Sequence, residues 1–524
     1  MGQKARELYR PTSINADLPD EYIPPDQYTN GENIIFRNAR LNRAGGLESV
    51  WQDVNPFGFA PIHLLYAPYQ GTGYWIMCTE DKVQLTDGVT HTGITPAGGL
   101  QAVGYNEWTS AELNGLPVLN NGRDAPIYWD GNTANPCAPL PDFPASTVCY
   151  SLRPFKFHLI AMNIDGPGGL DDTLLLWSDA AAPGQVPQSW TAATDSEAGN
   201  NVLGDETGPI IDGLALREDF IIYKQRSVYV MAYVGGLEVM SFRKLFTNRG
   251  IFSRNCVAEH QGFHYVLGDG DLYVHDGQTM KSIADNRIRE TLFALIDPVH
   301  YLNSYVVVNK DQNEVYFCVP SGGLPEPRTA VVYDIDTDSW GLRDIPSCTH
   351  AASGIVNVAA IPPTVLEWDD ASDPWLSYNR RWNESSQTLG TVNDGVLFAQ
   401  PSGYNGPNVL FLDADVLSNG LTVDARIDWL TKDLGTPGVV KLVRKVWPRF
   451  SNVASGDEFT IKVGGQIELG DAIAFQEYTF TIGESNSVDV TVPGKFISIQ
   501  IESAIDRVWT LTGFGIEYET LGGY

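Results

Sequence analysis

Short runs of β-branched and aromatic residues that stop at an Asp, or at Asp-Gly, recur through most of this chain. They read Val83-Gln84-Leu85-Thr86-Asp87-Gly88, Ile127-Tyr128-Trp129-Asp130-Gly131, Leu175-Leu176-Trp177-Ser178-Asp179, Leu272-Tyr273-Val274-His275-Asp276-Gly277, Val331-Val332-Tyr333-Asp334 and Val409-Leu410-Phe411-Leu412-Asp413. Such runs are strands by composition, and the Asp-Gly pairs are turns. Residues 214–277 show how the runs combine. Two apolar runs flank a polar Lys224-Gln225-Arg226-Ser227 turn, and two more flank Gly268-Asp269-Gly270. Hairpins this small are not stable alone, so they must pack on one another.

The spacing decides how they pack. Asp87, Asp130 and Asp179 stand 43 and 49 residues apart, and Asp334 follows Asp276 by 58. The 97 residues between Asp179 and Asp276 hold one further unit, with residues 227–233 as its outer strand. A unit of roughly 40–50 residues with several short strands has the size of a propeller blade. The run from Val332 through Asp334, Asp336 and Asp338 to Trp340 resembles the outer strands of kelch blades. The interval of 79 residues from Asp334 to Asp413 is too long for one blade and carries a polar insertion near 366–391. The expected fold is all-β, a β-propeller of six blades with a seventh left open, over residues 46–420.

Residues 1–45 are expected as an extended N-terminal arm and a first strand. Residues 1–30 are polar, Pro-rich and without period, in the manner of a segment ordered against a partner. Residues 34–41 form a strand that Gly45-Gly46 turns, and that strand is placed in the last blade. One helix is expected over residues 285–296. Asp285 or Asn286 would cap it, Pro298 would end it, and Ile288, Leu292 and Leu295 would form its apolar face. From about residue 421 the pattern changes to alternating runs: 439–447, 459–463, 478–481, 488–492, 496–501 and 514–518. This is expected to be a separate C-terminal β-sandwich over 421–524.

Charge and cysteines exclude several classes. Asp and Glu number 64 against 34 Lys and Arg, a net charge of −30. Phosphate backbones and anionic lipid surfaces repel such a chain, so neither general nucleic-acid binding nor membrane docking is expected. No run approaches 18 uncharged apolar residues. The N-terminal Met1-Gly2-Gln3-Lys4-Ala5-Arg6 carries no signal-peptide core, and Arg6 is wrong for myristoylation. A soluble protein made in a cytoplasm is the expectation. The six cysteines contain no Cys-x-x-Cys pair and suggest buried thiols.

Candidate sites are few. Asp334, Asp336 and Asp338 alternate like a calcium loop, but Ser339 stands where that loop needs Gly and Ile345 where it needs Glu, which favours a kelch-type turn. Asp269, Asp271 and Asp276 belong first to hairpin turns. His260, His264 and His275 lie close enough in sequence to meet on adjacent strands, with half-buried strand histidines as the plainer alternative. Lys441, Arg444, Lys445 and Arg449 form a basic island, either a contact for an acidic subunit or DNA phosphate, or a solvated strand face. The Asn383-Glu384-Ser385 sequon means little without a secretory signal. No nucleophile elbow, zinc motif or phosphate loop appears, and 64 acids make a chance carboxylate pair uninformative. No catalytic, cofactor or metal residue is assigned, and the expectation is that the chain is not an enzyme.

Three stretches carry a resemblance. Asn30-Gly31-Glu32-Asn33-Ile34-Ile35-Phe36-Arg37-Asn38-Ala39-Arg40, followed by Gly45-Gly46, is similar to the start of many bacteriophage tail proteins. Tyr223-Lys224, Ser227-Val228-Tyr229, Asn248-Arg249-Gly250, Gly270-Asp271-Leu272-Tyr273, Asp276-Gly277 and Ile288-Arg289 together resemble the nozzle, or hub, proteins of short-tailed phages, also called packaged-DNA stabilisation proteins. The ending from Trp509 to Glu519 resembles their C-terminal sandwich. The resemblance implies a homo-hexameric ring in the virion's short tail, below the portal and adaptor rings, that extends the DNA channel. It implies help in retaining the packaged genome, passage of DNA without sequence-specific contacts, and binding of tail fibres or a distal plug. It carries no catalytic residues over. The 366–391 insertion has no counterpart that can be placed. The competing class is a glycan-binding or glycan-cleaving propeller at the tail.

Overall fold

The computed structural model describes residues 4–51, 59–357, 392–402, 408–418 and 421–522. The expected insertion at 366–391 and its sequon lie outside the described residues.

Seven antiparallel four-stranded units follow one another. They begin with the inner strands His63–Tyr69, Thr109–Leu113, Val148–Phe155, Ile210–Leu216, Val257–His260, Tyr305–Asn309 and His350–Asn357. Each inner strand packs beside the next, and His350–Asn357 touches both Tyr305–Asn309 and His63–Tyr69, which closes the ring. The fold is a seven-bladed propeller; the seventh blade, left open by the sequence spacing, is present. Each Asp-terminated run is the third strand of a blade or its end. Asp413 accepts from Arg37 and Arg343, but in the earlier runs the Asp turns the chain into the fourth strand by accepting backbone N–H groups. Asp87 Oδ1 takes those of Val89 and Thr90 at 2.9 and 2.7 Å, and Asp276 Oδ1 takes those of Gln278 and Thr279 at 2.9 and 2.7 Å. Gly88 and Gly277 then sit at φ 92° and 87°, where a side chain would be strained.

The last blade is closed by Gly46–Val50, which pairs with Asn408–Asp415 through Val409↔Val50 to Leu412↔Leu47. This corrects the placement of residues 34–41. Ile34–Arg37 instead joins the outer edge of the sixth blade at Leu342↔Ile34, and its hairpin partner Arg40–Arg43 reaches the C-terminal lobe at Leu511↔Leu41. Gly341 permits that approach, because a Cβ there would lie 2.5 Å from the Ile34 carbonyl oxygen. Arg37, Glu314, Arg343 and Asp413 weld the joint. Arg37 Nη2 donates to Glu314 Oε2 at 2.8 Å and to Asp413 Oδ2 at 2.7 Å, and Arg343 Nη1 donates to Asp413 Oδ1 at 2.6 Å.

The N-terminal segment is also corrected, from an extended arm ordered against a partner to a strap held by the chain itself. Lys4–Tyr9 pairs with Thr510–Gly522, and Asn30–Glu32 pairs with Ala425–Lys432. Lys432 Nζ donates to the carbonyls of Asp20 and Ile23 at 2.7 and 2.9 Å. Tyr9, Ile14, Ile23 and Tyr28 are buried, so the Pro-rich stretch has an apolar side that composition averages away. The C-terminal strands form two packed sheets. One has the order Ala474–Thr481, Glu458–Gln466, Phe496–Ser503, Ala425–Lys432, Asn30–Glu32. The other sets Val440–Ser451 between Val488–Gly494 and Thr510–Gly522. Their core, including Val443, Phe459, Ile461, Ile499, Trp509 and Ile516, is continuous with that of the fourth to sixth blades.

The helix runs Arg289–Leu295, shorter than expected, and neither Asp285 nor Asn286 caps it. Asp17 of the strap does, accepting from Glu290 and Thr291 N–H at 3.1 and 3.0 Å. Ile288 and Leu292 are buried, but Leu295 is exposed.

Replacing Asp413 leaves the Arg343 guanidinium, 1% exposed, without its counter-charge. Asp413→Asn is expected to cost about 3–5 kcal/mol, read from the shift in the urea midpoint.

Candidate functional site

Every blade begins with its innermost strand, so the starts of the seven inner strands gather at one mouth of the ring. Polar residues collect there. Asp212, at the start of Ile210–Leu216, is fully buried and accepts two bonds from Arg153, Nε at 2.8 Å and Nη2 at 2.6 Å. It also accepts from Ser151 Oγ and from the Asn255 and Gly213 N–H groups. Burial alone would raise its pKa, but the Arg153 guanidinium and these donors hold it below the usual carboxylate range. Arg153 Nη2 also donates to Asn255 Oδ1 at 2.7 Å, and Asn255 Nδ2 to Asn106 Oδ1 at 2.7 Å. Asn106 Nδ2 in turn reaches carbonyls before the fifth and sixth blades, Arg254 O at 2.9 Å and Ser304 O at 3.0 Å. His63 and His350 complete the mouth with ring centroids 3.9 Å apart. Burial pushes both pKa values down, that of His350 to about 3, so both stay neutral at pH 7.

The cluster is satisfied around Asp212, though His63 Nδ1 at the same mouth has no hydrogen-bond partner among the described residues. Its single carboxylate, Asp212, accepts from five donors and has no second carboxylate within the network, so it is not poised as a general acid or base. Its bonds run between blades, and it fastens the mouth.

The histidine group divides. His264 and His275 stand opposite each other on paired strands, and Tyr223 from the preceding blade sits between them. The hydrogen bonds assign one direction throughout. The Gly277 N–H donates to His275 Nδ1 at 3.2 Å, and His275 Nε2 donates to the Tyr223 hydroxyl at 2.6 Å. That hydroxyl donates to His264 Nδ1 at 2.7 Å, and His264 Nε2 donates to Ala215 O at 3.0 Å. Each ring nitrogen is thus used in a neutral imidazole, and no lone pair faces a metal. His260 lies apart, bonded to Asn313 Oδ1 at 2.9 Å. Among the described residues no group of His, Cys, Asp and Glu is arranged for a metal ion.

The other candidates are absorbed by structure. Asp334 Oδ1 accepts from Thr337 N and Oγ1 at 2.8 Å, Asp336 takes Asn313 Nδ2 at 3.2 Å, and Asp338 takes the Tyr333 hydroxyl at 2.8 Å. Asp271 accepts from Ser282 Oγ at 2.7 Å. The basic island is spent within its own lobe. Lys441 is buried against the Thr436 and Lys495 carbonyls, Arg444 meets Glu519 at 3.3 Å and Lys445 meets Asp489 at 3.0 Å. Arg449 is the exposed member. All six cysteines are buried and free.

One feature has no sequence signal. A cleft of about 860 Å³ opens on the C-terminal lobe, where Glu32, Asp424, Asp457, Glu458, Glu502 and Asp506 converge with Arg426. Lys462 pairs with Glu502 at 2.8 Å and Arg507 with Asp457 at 3.2 Å, so acid remains in surplus. Its residues come from four separate segments, which only folding brings together.

No family model and no curated protein matches the chain. Among solved structures it is similar to the extracellular domain of a B. thetaiotaomicron protein described as a one-component system, at 8% identity and TM-score 0.41, covering 89% of this chain and 62% of that one. It is also similar to the Bacteroides ovatus xyloglucan-locus GH43B, at 11% identity and TM-score 0.25, covering 93% and 99%. A third is an exo-β-1,3-galactanase from Phanerochaete chrysosporium, at 10% identity and TM-score 0.23, covering 80% and 98%. The chain spans 62% and 51% of the lengths of the two B. thetaiotaomicron domains it matches. The expectation that the chain is not an enzyme is corrected here: glycoside hydrolases stand among these similar structures. At these scores the likeness carries no substrate and no catalytic residue over to this chain. Among the described residues no helix is long and apolar enough to cross a membrane.

The buried histidines set an acid limit on stability. Below pH 6.5 the unfolded chain protonates them, while folded His264, His275 and His350 resist to about pH 3, 4 and 3. Stability therefore falls as pH drops, by about 1.4 kcal/mol per pH unit per histidine. Thermal unfolding between pH 7.5 and 5 is expected to show this, with a shallower fall in His275→Gln.

Proposed function

We propose that the chain is a structural subunit of a short bacteriophage tail, a nozzle or hub built as a ring of six copies. One observation carries this reading: the three stretches that resemble nozzle proteins share one core. The 30–43 segment pairs with the ending at Thr510↔Asn42 and Leu511↔Leu41, and Ile34, Leu41, Tyr223, Leu272, Ile288, Trp509 and Phe514 lie in the same buried cluster. Two physical points support it. The mouth of the propeller is fastened across by Arg153, Asp212, Asn255 and Asn106, so a conduit for a duplex belongs between copies. The charge of −30 suits a wall that does not hold DNA, with repulsion effective within about 8 Å at physiological salt. Adaptor and portal-side proteins would adjoin the ring on one side, and fibres or a plug elsewhere.

A second reading rests on the acidic cleft: binding or cleavage of glycans at the tail. Carboxylates such as Glu458 and Glu502 in one cleft are the raw material of glycoside hydrolysis, which needs two of them roughly 5–10 Å apart.

Mass measurement of the purified chain, alone and with adaptor and portal proteins, is expected to give a hexamer in the complex. A chain that stays monomeric there, or a ring with a neutral or basic lumen, counts against the nozzle. Host polysaccharide incubated with the chain discriminates the second reading. Release of reducing ends that falls at least a hundredfold in Glu458→Gln or Glu502→Gln would establish cleavage, and no release leaves that reading without support.

A further inference from the structure

Sheet edges expose unpaired backbone groups, and folded chains blunt them with charge, proline or shortness. This chain does so nearly everywhere. The outer strands His91–Gly93, Ala138–Pro139 and Met280–Ser282 are two or three residues long. Met240–Thr247 carries Arg243 and Lys244, Lys4–Tyr9 carries Lys4 and Arg6, and Val488–Gly494 carries Pro493. Among the described residues Ala474–Thr481 is the longest outer edge strand that departs from this. It is the end strand of the five-stranded sheet, eight residues long, unbulged against Glu458–Gln466, with no proline and Glu477 as its one charge.

The direction of its free groups follows from its neighbour. Ile482 uses both backbone groups toward the adjacent strand, donating to Asp457 O and accepting from Gly456 N at 2.9 Å. Backbone direction alternates along a strand. Residues 476, 478 and 480 therefore face the sheet, and Phe475, Glu477 and Thr479 present N–H and C=O groups outward. Exposed Ile467, Leu469 and Phe475 lie beside this edge. Both ends carry acid, with Asp471 and Glu468 in the preceding turn, Glu468 being paired with Lys495 at 2.8 Å, and Glu484 in the following one.

We propose that Ala474–Thr481 is a docking edge that takes an added strand from a partner protein: an extended segment with apolar or β-branched residues at alternate positions and Lys or Arg at both ends. Backbone pairing supplies the attachment, and the acidic turns select the basic ends. The site is distinct from the acidic cleft and does not depend on the ring.

The test uses the full chain and a labelled peptide, acetyl-Lys-Val-Thr-Val-Thr-Val-Lys-amide, read by fluorescence anisotropy. Thr479→Pro and Glu477→Pro remove an outward N–H while sparing the bonds to Glu458–Gln466. Each is expected to weaken binding at least tenfold with an unchanged melting temperature, and hydrogen exchange at Phe475, Glu477 and Thr479 should slow on binding. A peptide with Glu at both ends should bind at least tenfold more weakly. No binding at millimolar peptide, equal binding to the proline variants, or protection elsewhere overturns the proposal. A doubling of mass in the free chain that Thr479→Pro abolishes assigns the edge to a second copy and also overturns it.

Discussion

Ring closure by Gly46–Val50 is the constraint on which the rest of the molecule depends. A seven-bladed ring made by simple succession would leave the outer edge of Asn408–Asp415 unpaired, and first and last blades would be joined only by packing and a few side-chain hydrogen bonds such as Trp75 Nε1 to Ile355 O at 2.9 Å. Gly46–Val50 pairs that edge from the far end of the sequence. The contact has high sequence separation, so its loop-closure entropy is large, and it forms only when blades at both ends of the chain are in place. The ion cluster of Arg37, Glu314, Arg343 and Asp413 lies at the same joint and ties its outer strand to the sixth blade.

The closing strand also explains why the two lobes form one body. The residues before it have to travel from the sandwich to the ring. Lys4–Tyr9 completes a sandwich sheet, Asn30–Glu32 edges the other, and the 34–43 hairpin runs from the sixth blade to Thr510–Gly522. Asp17 caps the helix on the way. The strap is therefore a load path with backbone pairing at each end, and a continuous apolar core runs beneath it.

At the mouth, the polar cluster acts in the opposite sense from a reactive site. A buried carboxylate with a bidentate guanidinium and saturated acceptors is costly to break and gains little from rearranging. Buried polar groups of this kind fix which blade meets which, since only one arrangement satisfies Asn106, Asn255, Arg153 and Asp212 together. The open acidity lies elsewhere, in the sandwich cleft and around the Ala474–Thr481 edge.

What the sequence determined was local. Alternating apolar residues gave the strands, and an Asp ending a third strand gave its turn in blades ahead of the last, because an Asp side chain accepts from nearby backbone N–H groups. Repetition of that unit gave the propeller. The changed texture after residue 421 marked the sandwich strands, but not that Lys4–Tyr9 and Asn30–Glu32 complete its sheets or that its core joins that of the blades, so the lobe is not the separate unit expected. The kelch-type turn at Asp334–Asp338 was legible for the same reason. The tertiary structure alone decided who pairs with whom. Residues 34–41 read as a strand but not as the sixth blade's added edge, and the strap read as loose because its buried Tyr9, Ile14 and Tyr28 are diluted by prolines and acids. The seventh blade was masked by the long interval before Asp413, and the cleft by the distance between residues 32, 424, 457 and 502. Strand pattern depends on neighbours two residues away, whereas pairing, closure and convergence depend on residues hundreds apart, for which one sequence carries no period.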